Sequence, residues 1–381
     1  MATWIESNFT RTAGPDFLFP DVMGFRLERG YKYADVVRTN SRIRVPGMSN
    51  KQWAITAAQQ EELAREAEND GRIETARAFY YRASIYYGRA AWGIMSINDR
   101  KRYLQAKCTT CFKMFASSSD GLITQVTLEL PYGPVFAILY LPAGGSTKIP
   151  AAIHFPGTDM FKEEFPNPFD NLFIDRGVAI LAIDGPGQGE TLVEGVTLTA
   201  ERYDEAASAA VDFLSTHPRI DSDRIFTTGS SIGSYFALRA AAFDSRIGAA
   251  SGFMGVVYDL QEMLVAAPPG FSRRLEFMTG HTGDDFYSIA QGVTLRGHED
   301  KITVPVLITN GEFDELCPLS DADELFEALT CPRELWVVED EAHPIGGRAA
   351  DILPALVDWS KKNLYAPLPA DYKSRKVIAA R

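Results

Sequence analysis

Five short apolar runs, at residues 150–155, 177–183, 224–229, 305–310 and 334–338, recur along the chain with helix-forming stretches between them. A strand that is apolar at nearly every position has no polar face to offer water, so it must be covered on both sides. Strands separated by helices reach that state in a mostly parallel sheet with helices on both faces, which predicts an α/β fold. Just ahead of these runs, residues 123–130 alternate apolar and polar, Pro131 to Pro134 supply a turn, and an apolar run begins at Val135; this reads as a hairpin.

The first 115 or so residues have a different texture. Residues 57–69 are rich in alanine, glutamate and glutamine, all good helix formers. Asp70-Gly71-Arg72 breaks the pattern, and residues 74–92 resume it with Phe79, Tyr80, Tyr86, Tyr87 and Trp92 at helical spacing. The pair reads as one antiparallel helical hairpin, and its aromatic stripe as packing. The expected organisation is a helical N-terminal cap over residues 1–115 and a catalytic domain over 116–365. Within the latter, residues 258–300 add to a roof over the site. Residues 366–381 read as an exposed extension.

With 38 basic against 50 acidic residues the chain carries a formal charge of −12, which repels phosphate backbones and anionic membranes and excludes nucleic acid as a main partner. No stretch approaches the roughly 18 apolar residues of a membrane-spanning helix. The start, Met1 to Asn8, lacks a basic segment followed by an apolar one and does not read as a signal peptide. A cytoplasmic location is the expectation. Four cysteines are too few for a disulfide framework in 381 residues. Cys108 and Cys111 form a single CxxC without a second pair or a nearby histidine, so they read as reduced thiols, and no metal is expected.

Gly229-Ser230-Ser231-Ile232-Gly233 is a G-x-S-x-G motif. A strand-like run precedes it and a helix-forming run, from Ser234, follows. Strand, sharp turn and helix around this motif make the nucleophile elbow of α/β-hydrolases, with Ser231 at its centre. A serine hydroxyl is a weak nucleophile without a base. In this arrangement the acid and then the histidine follow the serine in chain order. His343 lies in a polar loop after the last strong strand. Asp314 follows the buried run at 305–310, far enough ahead of His343 for one helix and one strand. Asp259 is the rival acid. The expected oxyanion donors are the N–H of Ile232 and one N–H from the loop at Gly157 and Thr158. The glycines of Asp184-Gly-Pro-Gly-Gln-Gly-Glu190 fit neither a dinucleotide nor a Walker loop and read as a tight strand-to-helix turn.

Taken together, Lys162-Glu163-Glu164, the Asp184–Glu190 turn and the serine motif, all behind a helical N-terminal region, resemble the α/β-hydrolase subgroup that contains 2,6-dihydroxypseudooxynicotine hydrolase and the fungal heptaketide-shortening hydrolases. The resemblance covers nearly the whole chain. It implies cleavage of a carbon–carbon bond beside a ketone, with no metal or organic cofactor. It also implies a triad of Ser231, Asp314 and His343, and Glu163 as a substrate-binding group. Phe155-Pro156-Gly157 stands where the group is expected to carry a Gly-Gly pair. The subgroup also includes plain esterases, so a carboxylesterase or thioesterase on the same triad is the alternative, ahead of a non-catalytic binding protein. The partner is a small-molecule substrate, and the helical N-terminal region offers a surface for a homodimer.

Overall fold

The computed structural model describes residues 22–145 and 147–380. The reading of Met1 to Asn8 therefore lies outside the described residues. The chain divides into two compact units, one built from the described residues up to Gln125 together with Phe161–Asp170, the other from Val126–Met160 and the remainder from Asn171.

The first unit is helical: α1 (Val22–Glu28), α2 (Tyr33–Asn40), α3 (Ser49–Asn69), α4 (Ile73–Trp92) and α5 (Asp99–Ala116). The turn between α3 and α4 falls at Asp70–Arg72, where Gly71 takes φ 72°. Tyr80, Tyr86 and Tyr87 are buried, and each hydroxyl reaches a carboxylate of the same unit: Glu68 at 2.7 Å, Asp35 at 3.0 Å and Glu61 at 2.7 Å. Rings inside and phenol O–H groups satisfied is the state of packing aromatics. The third long helix, α5, went unread in the sequence. Its buried positions Leu104, Cys108, Cys111, Phe112 and Phe115 follow helical spacing, but lysines and arginines crowd the intervening ones. Cys108 and Cys111 thus sit on one buried face. Burial, followed by the charge of Glu61, pushes the Cys111 thiol up to about 12.

The second unit carries the sheet. Its strands are β1 (Ile123–Leu130, in this unit from Val126), β2 (Gly133–Tyr140), β3 (Ile149–Phe155), β4 (Ala179–Asp184), β5 (Ile220–Ser231), β6 (Ile247–Val256), β7 (Val306–Gly311), β8 (Arg333–Val338) and β9 (Lys373–Ile378). They lie in the order β1-β2-β4-β3-β5-β6-β7-β8-β9. From β4 to β9 every pairing is parallel, and β2 runs antiparallel to β4. β4 and β7 are buried at every position, whereas β1 alternates. The expected mostly parallel sheet with covering helices is what forms. Those helices are α6 (Gly189–Val193), α7 (Ala200–Thr216), α8 (Ile232–Phe243), α9 (Leu260–Ala266), α10 (Pro269–Thr279), α11 (Gly283–Gly292), α12 (Leu319–Ala328) and α13 (Ala349–Tyr365). The run at 258–300 thus contributes α9 to α11.

Two boundaries differ from the sequence reading. Phe161–Asp170 returns to the helical unit, an excursion that no composition shift marks. The tail is not simply an exposed extension: Lys373–Ile378 pairs with β8 as the ninth strand. Its Lys-Ser-Arg-Lys sequence hides this because β9 is an edge strand with most side chains outside, where charge guards against further pairing. No helix among the described residues is long and apolar enough to cross a membrane.

Candidate active site

β5 ends on Ser231 and α8 starts on Ile232, so the serine occupies the turn itself, at φ 53° and ψ −120°. A side-chain-bearing residue in that region costs about 1–3 kcal/mol, and such outliers cluster at functional sites. The turn is held by close packing. A Cβ on Gly233 would lie 2.0 Å from Phe155 O at the end of β3. Ser234 Oγ donates to Ser231 O, sits 3.2 Å from Gly255 O and accepts from Val257 N–H at 3.2 Å, which ties the elbow to the end of β6. Ser230 is buried with its hydroxyl 3.3 Å from His154 Nε2, leaving Ser231 as the serine at the turn. Ile232 opens a helix, whose first N–H groups have no partner inside it.

Asp314 follows β7 and His343 follows β8, at the same end of the sheet as the elbow. His343 Nδ1 donates to Asp314 Oδ2 at 2.9 Å. The carboxylate only accepts, so the proton sits on Nδ1 and Nε2 is left as the basic nitrogen. Asp314 Oδ1 accepts the N–H groups of Leu316 at 3.0 Å and Cys317 at 2.7 Å, which fixes the carboxylate plane. Its side chain is fully buried and that of His343 is 11% exposed. Burial pulls the imidazole down, but the charge and hydrogen bond of Asp314, joined by the charges of Glu315 and Asp159, outweigh it and hold His343 above its ordinary 6.5.

No hydrogen bond joins Ser231 to His343 among the described residues; in unliganded sites such bonds are often long and tighten on substrate. Both residues border the end of β6. Ser231 is in register with Val256, and a Cβ on the preceding Gly255 would meet His343 Nδ1 at 3.1 Å and Asp314 Oδ2 at 2.4 Å. The rival acid Asp259 is spent elsewhere: it caps α9, accepting from Gln261 and Glu262 N–H at 2.9 and 3.1 Å.

Gly157 and Thr158 lie in the loop after β3, and a Cβ on Gly157 would stand 3.2 Å from Ser230 O, so this loop runs against the elbow. Glu163 and Glu164 belong to the segment that packs with the helical unit. Both are buried, with different partners. Glu164 is gripped by Arg29, by Arg89 at 2.9 Å and by the Tyr31 hydroxyl at 3.1 Å; Glu163 Oε1 accepts from Lys162 Nζ at 2.7 Å. Asp314, Cys317 and His343 offer ligand atoms within 4.8 Å of one another. Burial first, then the charges of Asp314, Asp321 and Glu315, hold the Cys317 thiol well above its ordinary range, so it stays a neutral S–H and is poorly suited as a metal ligand.

Residues 38–266 match the family described as esterase FrsA-like, and residues 170–365 match the prolyl oligopeptidase family. The alpha/beta hydrolase xenA of Xenoacremonium sinensis is 33% identical over 360 residues, covering 79% of this chain and 83% of that one. The chain belongs to the FrsA-like esterase family of α/β-hydrolases. It is also similar to the 2,6-dihydropseudooxynicotine hydrolase of Paenarthrobacter nicotinovorans, 29% identical over 226 residues, although that match spans 58% of this chain and only 56% of the relative. The crystal structure of the 2,6-dihydroxy-pseudo-oxynicotine hydrolase superposes with a TM-score of 0.81, covering 92% of this chain and 99% of that one at 23% identity, which establishes the shared fold.

Three residues that hold this cluster together escaped the sequence. Ser234 was one more residue of a helix, Gly255 one more glycine, and Asn310 the end of a strand. Asn310 Oδ1 accepts Val256 N–H at 3.1 Å, while its Nδ2 donates to Cys317 O at 2.9 Å, stitching β6 to the Asp314 loop. Gly255 has the clearest signature: φ 84°, with no room for a methyl group beside the acid–base pair. Gly255→Ala is expected to displace the Asp314–His343 bond and lower kcat on an activated ester by about 10²-fold, the usual cost of an ångström-scale misplacement. Steady-state kinetics on the folded variant check it; turnover within threefold of the parent would refute the crowding argument.

Proposed function

We propose that this hydrolase cleaves a carbon–carbon bond beside a ketone, in an acyl-aromatic or polyketide-like substrate, through a Ser231–His343–Asp314 triad. The observation that carries the reading is the Nδ1–Oδ2 bond of 2.9 Å, which leaves His343 with a basic Nε2 at the end of the sheet where the serine is held at φ 53°. His343 takes the Ser231 proton as Oγ attacks the ketone carbon. The oxyanion is received by the N–H of Ile232 and an N–H of the Gly157–Thr158 loop. Collapse breaks the carbon–carbon bond and the electron pair leaves as a carbanion, which a polyhydroxylated ring or β-dicarbonyl carbon delocalises and which His343 protonates. Water, deprotonated by the same imidazole, then cleaves the acyl-serine. The balance is one ketone and one water giving one carboxylic acid and one C–H product. The choice of ketone and the assignment of Glu163 to the substrate come from the resemblance of the three motifs and from the names of the relatives.

A carboxylesterase or thioesterase on the same residues is the second reading, favoured by the esterase description of the matching family. Polyhydroxylated acylphenones and aryl β-diketones, assayed beside p-nitrophenyl esters, separate the two. The first reading expects stoichiometric carboxylic acid and deacylated arene at a kcat/KM at least tenfold that of the ester. Ester turnover with no arene released from any ketone replaces it by the second. A fluorophosphonate probe is expected to label Ser231; an unlabelled but folded protein would defeat both.

A further inference from the structure

The turn after β4 does more than connect. Gln188, 3% exposed, spends its side-chain amide on the oxyanion loop: Nε2 donates to Pro156 O at 2.9 Å and to Gly157 O at 3.0 Å. Gly157 O also accepts Met160 N–H at 3.2 Å. In turn the Tyr203 hydroxyl donates to Gln188 Oε1, which fixes the amide so that its N–H₂ faces the loop. Burial, with the charge of Asp184 next, keeps Tyr203 well above the ordinary phenol range and therefore a donor at any working pH. Tyr203 lies flat on Phe236 of α8, the helix that begins at the serine. A Cβ on Gly185 would collide with its hydroxyl at 2.1 Å, so that turn glycine makes room for the phenol.

In a trans peptide the C=O and the following N–H point in opposite directions. Two consecutive carbonyls, those of Pro156 and Gly157, are drawn onto one amide nitrogen. The N–H groups of Gly157 and Thr158 must therefore point away from Gln188. We infer that Gln188, locked by Tyr203, is the positioning residue that aims the Gly157–Thr158 amides as oxyanion donors, replacing the conformational help of a Gly-Gly pair that this loop lacks. The inference rests on the serine-hydrolase reading and adds to it a reason for the glutamine in the Asp184–Glu190 motif.

Gln188→Leu removes the clamp at similar volume, and Tyr203→Phe removes only the hydroxyl that orients it. The expected result for Gln188→Leu on p-nitrophenyl acetate is a kcat about 10²-fold lower, near the cost of losing one oxyanion donor, with KM changed by less than about threefold. Affinity for an arylboronic acid, which forms a tetrahedral adduct on the serine, should fall in parallel with kcat. Tyr203→Phe should show the same pattern at about tenfold. A residue that only supported the fold would lower the unfolding midpoint without separating boronate affinity from KM. The inference is overturned if either variant, folded by circular dichroism, keeps boronate affinity and kcat within threefold of the parent. Should Gln188→Leu fail to fold, Tyr203→Phe decides alone. If the parent protein itself binds no boronate and takes no fluorophosphonate at Ser231, the serine reading fails; labelling of the parent with unaltered variants fails the clamp only.

Discussion

Ser231→Ala is expected to lower kcat by about 10³-fold or more, with KM and the folded structure close to those of the parent. The reasoning starts from cost. Ser231 sits at φ 53°, ψ −120°, a conformation that a packed turn imposes against the preference of any residue with a side chain. Nothing in folding calls for a hydroxyl there: among the described residues no hydrogen bond uses Ser231 Oγ, whereas Ser230 and Ser234 on either side are both engaged. A strained serine with an unspent hydroxyl, at the sheet end that also carries His343, is what the proposed nucleophile requires. Alanine keeps the strain and the shape and removes the hydroxyl alone. Ser231→Gly should separate the terms further, raising unfolding free energy by about 1 kcal/mol as the strain is relieved while activity stays lost. Single-turnover kinetics and denaturant titration of the three proteins check both halves. An alanine variant that turns over within tenfold of the parent would remove Ser231 from the chemistry.

Much of this arrangement is legible in the chain because its strongest signals are local. A nearly continuous apolar run such as 306–311 announces a strand covered on both faces, and the elbow carries glycines that its geometry demands. The order of serine, aspartate and histidine then follows the order of the strands. What stayed hidden depends on partners distant in sequence. Gly255 is one of 30 glycines until Asp314 and His343 crowd its vacant Cβ position. Gln188 is a turn residue until two carbonyls from another strand's loop arrive at its amide. That Glu164 is held by Arg29, Arg89 and Tyr31 was equally hidden, because those partners lie 75 to 135 residues away in the chain. β9 was masked for the opposite reason: an edge strand keeps its charges outside, so its sequence reads as tail.

Asp314→Asn is expected to lower kcat by about 10⁴-fold, the scale seen when a triad carboxylate is replaced by its amide, and the direction of the effect follows from the hydrogen bonds. Asp314 uses its two oxygens differently. Oδ1 accepts two backbone N–H groups, from Leu316 and Cys317, and Oδ2 accepts Nδ1–H of His343. An asparagine in this pocket keeps its oxygen on the two backbone donors, where an N–H₂ would clash. Its N–H₂ then faces Nδ1, which must accept rather than donate, so the imidazole proton moves to Nε2, the atom that should be taking the serine proton. The same substitution changes the pH profile. In the parent His343 is held above 6.5, burial being outweighed by Asp314 and the other carboxylates, and in the proposed mechanism it accepts a proton only when neutral. Activity should therefore rise with pH along a limb centred above 6.5, since protons compete for Nε2 below it. Removing the anionic partner removes the largest contribution that raises the imidazole, so the residual activity of the asparagine variant should rise along a limb displaced to lower pH. kcat/KM measured from pH 5 to pH 9 on both proteins tests the two statements together. A loss under tenfold would contradict the tautomer argument, and a limb that stays in place would mean that a group other than His343 sets it.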